Sequence, residues 1–189
     1  MGKFPIKETC PNHLRALRTN LGYKPPSVVN RQPPRGTSSS WPSINLSESG
    51  ALGCCPVFRL KNKTECVVEV DYWSVQYNKG LQSMLKEWQS KNEGIIYSYF
   101  DTYSAMSILI QSPASYGFTE VKGACCGLGE LNARAPCLPM SNLCPNGQDH
   151  VFWDQFHPTE AASRIFVDKI FYGSSTYTSP INMRQLVAA

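Results

Sequence analysis

Asp154 stands three residues before His157 in the stretch VFWDQFHPTE, Val151 to Glu160. A carboxylate bonded to an imidazole fixes its tautomer and stabilises its cation. An imidazole so held can take the proton of a hydroxyl nucleophile. The pair meets only if the intervening turn folds the two side chains together. Pro158, directly after the histidine, suits the first turn of a helix that would hold such a turn in place. Phe152, Trp153 and Phe156 crowd the pair and are expected to wall off water, strengthening the Asp–His contact. The spacing alone is also met by a capped helix start with a local hydrogen bond. His150 lies close by and reads as a solvent-exposed histidine. A zinc set of His150, His157 and Cys144 has no ligand spacing behind it, so no metal and no cofactor are expected.

The elements that must position this pair can be read in outline. Val67, Val70, Trp73, Tyr77, Leu81, Met84, Leu85 and Trp88 recur every three or four residues, which predicts an amphipathic helix over about 66–92. Trp73 and Trp88 fall on one face and are expected to pack in the core. GIIYSYFD (94–101) is β-branched and aromatic, as a buried parallel strand would be. A second helix is expected over 102–110, broken by Pro113. A short strand is expected just before the Gly/Cys/Pro loop of SGALGCCP. Residues 119–150 read as a Cys/Gly/Pro-rich loop with little period. Ala161, Ala162, Ile165, Phe166 and Ile170 mark a final helix, which Gly173 ends. This alternation is that of an α/β layer protein. With one clear strand and one further one, it reads like the second half of such a domain.

Length and charge narrow the classes. The chain has 189 residues, enough for one domain with a core, and a formal net charge of +4. Residues 1–40 hold seven Lys and Arg side chains against Glu8 alone, so the basic character belongs to that segment. The remainder has no basic patch interleaved with aromatics, and no nucleic-acid partner is expected. No apolar run is long enough for a transmembrane helix. Residues 1–45, rich in Pro, Ser, Arg and Asn, are expected to be irregular or disordered. Eight cysteines occur, at 10, 54, 55, 66, 125, 126, 137 and 144, with no CxxC pair. Their clustering suits disulfides in an extracellular, secreted protein, as do the glycosylation sequons at Asn45 and Asn62. The first residues nevertheless contain no export-signal-like apolar core.

The lettering around the pair carries a resemblance. VFWDQFHPTEAASRIF closely resembles the last block of the plant GDSL esterase/lipase family, within the SGNH hydrolase superfamily. ALGCCP resembles that family's G-x-x-G-C-x-P loop, and ECVVEVDYWSVQYNKGLQSML its helix with C, N and Y-N positions. YSYFDTYSAMSILIQSPASYGF resembles its Y-x-D-x-Y segment ending in Y-G-F, and GACCGLGELN its A-C-C-G-x-G loop. The likeness covers about residues 50–172, with the motifs in order.

The resemblance implies an incomplete SGNH-hydrolase-like, flavodoxin-like α/β fold of three layers, with few parallel strands and flanking helices. It places the C-terminal part of a GDSL esterase/lipase domain over 46–189. It implies hydrolysis of carboxylic esters in lipid metabolism, with Asp154 as the acid and His157 as the general base, acting on a small ester or lipid substrate. The family's Gly-Asp-Ser nucleophile motif, its oxyanion-hole glycine and its Gly-x-Asn-Asp motif have no counterpart in this sequence. The expectation is therefore a truncated family member, weakly active or inactive. The alternative is a non-catalytic fragment or pseudoenzyme that binds a ligand or partner. By analogy, Cys55 pairs with Cys66. Cys125, Cys126, Cys137 and Cys144 pair as 125–144 and 126–137 or the reverse, leaving Cys54 and Cys10 free.

Overall fold

The computed structural model of the chain describes residues 44–61, 65–92 and 94–189. Chain contacts divide the protein into Met1–Ser39 and Ser40–Ala189, and the account below concerns the second unit. The sequon at Asn62, Cys10 and all but the last two residues of the segment expected to be irregular lie outside the described residues.

Strand β1, Ile44–Ser47, runs parallel to β2, Tyr97–Phe100, with Ile44 opposite Tyr97 and Ser47 opposite Phe100. All four β2 residues are buried. The run's unbroken β-branched and aromatic character has this cause: both faces of the strand are covered. On one face Tyr97 and Tyr99 pack with Leu85, Leu81, Ile44 and Leu46. On the other, Phe100 joins Phe152, Leu109, Phe118 and Phe166. Strand β7, Thr178–Pro180, adds to β2 in the antiparallel sense. It was not expected, because a three-residue run containing proline has no strand period of its own; proline is tolerated at a sheet edge.

Helix α1 is the single turn Pro56–Arg59, and α2 spans Val68–Lys91. The inward stripe of α2 differs from the one its apolar residues suggest. Ser74, Asn78 and Leu85 are its buried residues. Trp73 is 66% and Tyr77 62% exposed, and Trp88 is exposed as well, so the two tryptophans do not pack in the core as expected. The polar inner half has a reason. The Asn78 side chain accepts from Ser49 N–H at 3.0 Å and donates to Ser49 C=O at 2.8 Å, completing the backbone bonds of the chain leaving β1.

Helix α3, Thr102–Gln111, starts at Asp101, whose side chain accepts from Ser104 N–H. The stretch expected to be a loop holds real strands. β3, Glu120–Ala124, pairs in parallel with β6, His150–Phe152, while β4, Cys126–Gly127, pairs antiparallel with β5, Asn142–Leu143. These strands are too short, and too mixed in charge and glycine, to show a period. Helix α4, Glu160–Tyr172, is capped by Thr159 rather than opened by Pro158, and α5, Met183–Ala188, closes the chain with a capping box at Asn182. The result is a mixed α/β arrangement of small sheets with helices packed around them. Among the described residues no helix is long and apolar enough to cross a membrane.

Candidate active site

The Asp154–His157 turn hangs between the end of β6 and the start of α4, and backbone bonds fix both ends. Trp153 N–H donates to His157 C=O at 2.8 Å, and Thr159 N–H to Val151 C=O at 2.9 Å. The Thr159 hydroxyl donates to His150 C=O and accepts from Ala162 N–H, joining strand and helix through one buried side chain. From the side, Cys125 N–H donates to Phe152 C=O and Cys126 N–H to Trp153 C=O, at 2.9 and 2.7 Å. Gln155 reaches out to Ala133 C=O at 2.8 Å, and its own carbonyl accepts from Val57 N–H on α1. Phe156 meets Phe58 edge to face.

Inside this frame the turn does the folding that the chemistry requires. Asp154 Oδ1 accepts from the amides of Phe156 and His157, each at 2.9 Å. Both carboxylate oxygens lie 2.9 Å from His157 Nδ1. Burial pushes the Asp154 carboxyl up, but the two amides and the imidazole outweigh it and hold the group below the usual carboxylate range. With Nδ1–H committed to a carboxylate, the neutral ring presents Nε2 as its acceptor. That is the atom a general base uses.

The walling off of water is where the expectation fails. Phe152 is wholly buried beneath the turn, but Trp153 and Phe156 are 39% and 46% exposed and the His157 side chain is 73% exposed. The aromatics brace the turn from below and from the side, and the imidazole faces out. Among the described residues the structure brings Asp154 and His157 together, and no serine hydroxyl is bonded to His157. His150 is not the exposed residue expected: its side chain is 18% exposed and its Nδ1 lies 2.6 Å from Asp149 Oδ1.

The cysteines support the turn. Disulfides link Cys125 to Cys144 and Cys126 to Cys137, so of the two pairings left open the structure has this one. They pin the loop whose amides hold Phe152 and Trp153. Gly127 follows at a φ of 157°, where a Cβ would collide with the Asn132 carbonyl. The pairing of Cys55 with Cys66 is corrected: the bond is Cys54–Cys66, and Cys55 is a buried free thiol. Gly53 C=O accepts from Val67 N–H, which lays 53–54 beside 66–67 and brings Cys54 to Cys66. Cys55, capping α1, points instead toward the Phe156 carbonyl, 3.7 Å away. Burial first, and then Asp71, push its thiol up to about 12, so it is inert.

A potential metal cluster of Cys54, Cys66 and Asp71 exists by distance, but both cysteines are in the disulfide and offer no thiolate. Asn45 is exposed on β1, so its sequon is accessible in the fold.

With the geometry in view, comparison with known proteins is specific. Residues 30–170 match the family model of the GDSL-like lipase/acylhydrolases. The Arabidopsis thaliana protein named GDSL esterase/lipase At5g55050 is 45% identical over 141 residues, covering 72% of this chain and 38% of that protein. A second, GDSL esterase/lipase At1g71250 from the same plant, is 38% identical over 178 residues, covering 89% of this chain and 48% of that protein. The chain thus spans less than half the length of these two curated relatives.

Proposed function

The chain belongs to the GDSL-like lipase/acylhydrolase family, and from that premise we propose that Asp154 and His157 are the acid and general base of a carboxylic-ester hydrolase site. The observation that supports this reading most is the position of His157 Nδ1, 2.9 Å from both oxygens of Asp154. In such a site Nε2 takes the proton of an attacking serine hydroxyl as its oxygen adds to the ester carbonyl. The imidazolium then gives that proton to the departing alcohol. Water repeats the sequence on the acyl-enzyme, and Asp154 stabilises the cation at each pass. The substrate class is a small or lipid carboxylic ester. The three disulfides among the described residues support maturation in an oxidising compartment, as in secretion.

The 189-residue sequence contains no Gly-Asp-Ser, no Gly-x-Asn-Asp and no Gly-x-Ser-x-Gly. Loss of a triad serine costs on the order of 10⁶ in kcat, and loss of one oxyanion donor about 10²–10³. This polypeptide on its own therefore supplies an oriented acid–base pair and no efficient esterase. The purified chain is expected to hydrolyse p-nitrophenyl acetate no faster than its His157→Ala variant. Turnover that disappears in that variant would show a nucleophile in place and overturn the proposal of an incomplete site. A second reading, a module that binds a ligand or partner, draws its support from the exposed imidazole and the exposed aromatics of α2.

A further inference from the structure

The carboxyl ends of β1 and β2 bring two acids together away from the Asp154–His157 turn. Ser47 is opposite Phe100 in the parallel register, so the residues that follow, Glu48 and Asp101, leave the sheet side by side. Glu48 N–H is still part of this pairing, bonded to Phe100 C=O. Its side chain is buried, with 9% of the residue exposed. Oε1 accepts from Tyr103 N–H at 3.2 Å, while Oε2 is buried with no hydrogen-bonding donor. Thr102 Oγ1, directly after Asp101, is another buried side-chain oxygen without a partner.

A buried carboxylate oxygen without a donor is costly, and two adjacent carboxylates repel one another in a low dielectric. One proton relieves both. Asp101 is already committed as an acceptor, taking Ser104 N–H at 2.7 Å to cap α3. That leaves Glu48 as the donor. We propose that Glu48 carries a proton and donates it in a hydrogen bond to Asp101, forming an acid–carboxylate latch between the end of β1 and the start of α3 that opens as pH rises.

The surroundings favour the proton. Burial, then the hydrogen bond and charge of Asp101, raise Glu48 from the ordinary 4.5 to about 8, against the opposing effects of the Tyr103 amide and Gln82. From β2 and α3 the facing groups are Asp101 and Tyr103. From α2 comes Gln82, a neutral amide whose Nε2 donates to Tyr99 Oη at 3.1 Å. Asp71, also on α2, is near enough to the Tyr103 phenol for its negative charge to add to burial in raising that group. None of these supplies Glu48 with a cation. Because the folded value lies above the unfolded one, the stabilisation is complete below the unfolded value. It is lost as pH rises through about 8. Opening the latch releases the Glu48 side chain, just ahead of the Leu52–Cys54 turn and the Cys54–Cys66 disulfide.

The test compares the full chain with Glu48→Gln, in which a neutral donor replaces the protonated acid. The wild-type melting temperature should fall by several degrees from about pH 5 to about pH 9, and the variant's slope over that window should be markedly flatter. Infrared difference spectra near neutral pH should show a protonated carboxylic acid in the wild type that is missing in the variant. Equal pH slopes in the two proteins would overturn the latch. So would the lack of a protonated-acid band in the wild type, and that second readout decides the matter even if the variant does not fold.

Discussion

Phe152, at the root of the Asp154–His157 turn, is wholly buried, and Trp73, in the second turn of α2 on its outer face, is 66% exposed. Both belong to aromatic runs, Phe152-Trp153 with Phe156 in one case and Tyr72-Trp73 with Tyr77 in the other. Around Phe152 the backbone is tied on every side: to Cys125, to Pro158 across a short bridge, and through Val151 to Thr159. Around Trp73 the helix turns inward on Ser74 and Asn78 instead, one residue further along in each case. A step of one residue rotates a side chain by about 100° on a helix, which is enough to move Trp73 and Tyr77 from the core side to the surface. Aromatic content alone therefore says little about burial. What decides it is whether the neighbouring backbone needs the inner positions for polar contacts.

This contrast sets an order of effects. Phe152→Ala should cost about 3–5 kcal/mol of folding stability in urea titrations, since the ring leaves a cavity beneath the turn. A cost under about 1 kcal/mol would mean the turn is not built on that ring. Replacing Cys125 and Cys144 together with serine should cost about 3 kcal/mol and loosen the loop that bonds Phe152 and Trp153. Thr159→Ala removes the α4 cap and the bond to His150 C=O, for about 1–2 kcal/mol by the same titration. Asp154→Asn acts on the acid side. The Asp154 carboxyl is lowered in the fold, so its contribution is present above the ordinary 3.8 and lost as pH falls through the folded value. The variant should show a shallower loss of stability on acidification, read from melting curves. Trp73→Ser, by contrast, should change stability by no more than about 0.5 kcal/mol. A large loss there would show that the outer face of α2 is covered in solution.

The parts legible in the sequence were those whose cause is local. Asp154 and His157 are three residues apart, and the turn that joins them is closed by amides of the same segment. The long helix and the final helix that Gly173 ends also carry their own apolar periods, and β2 its unbroken apolar run. What was hidden depends on distant partners. β3 and β6 become strands by pairing across the cysteine loop. Cys54 rather than Cys55 reaches Cys66 because Gly53 lies against Val67, a contact that no spacing encodes. The family analogy picked Cys55, the wrong one of two adjacent cysteines. Nothing in the sequence marks Glu48, because the acid beside it, Asp101, follows a different strand in the parallel register.

Asp154 holds His157 with its proton on Nδ1, leaving Nε2 as a free base. Nitrogen-15 NMR of the imidazole in the full chain, at a pH where the ring is neutral, reads this directly. His157 should show the Nδ1–H tautomer, with that preference lost in Asp154→Asn. A His157 protonated on Nε2, or a tautomer unchanged by the Asp154 substitution, would contradict it.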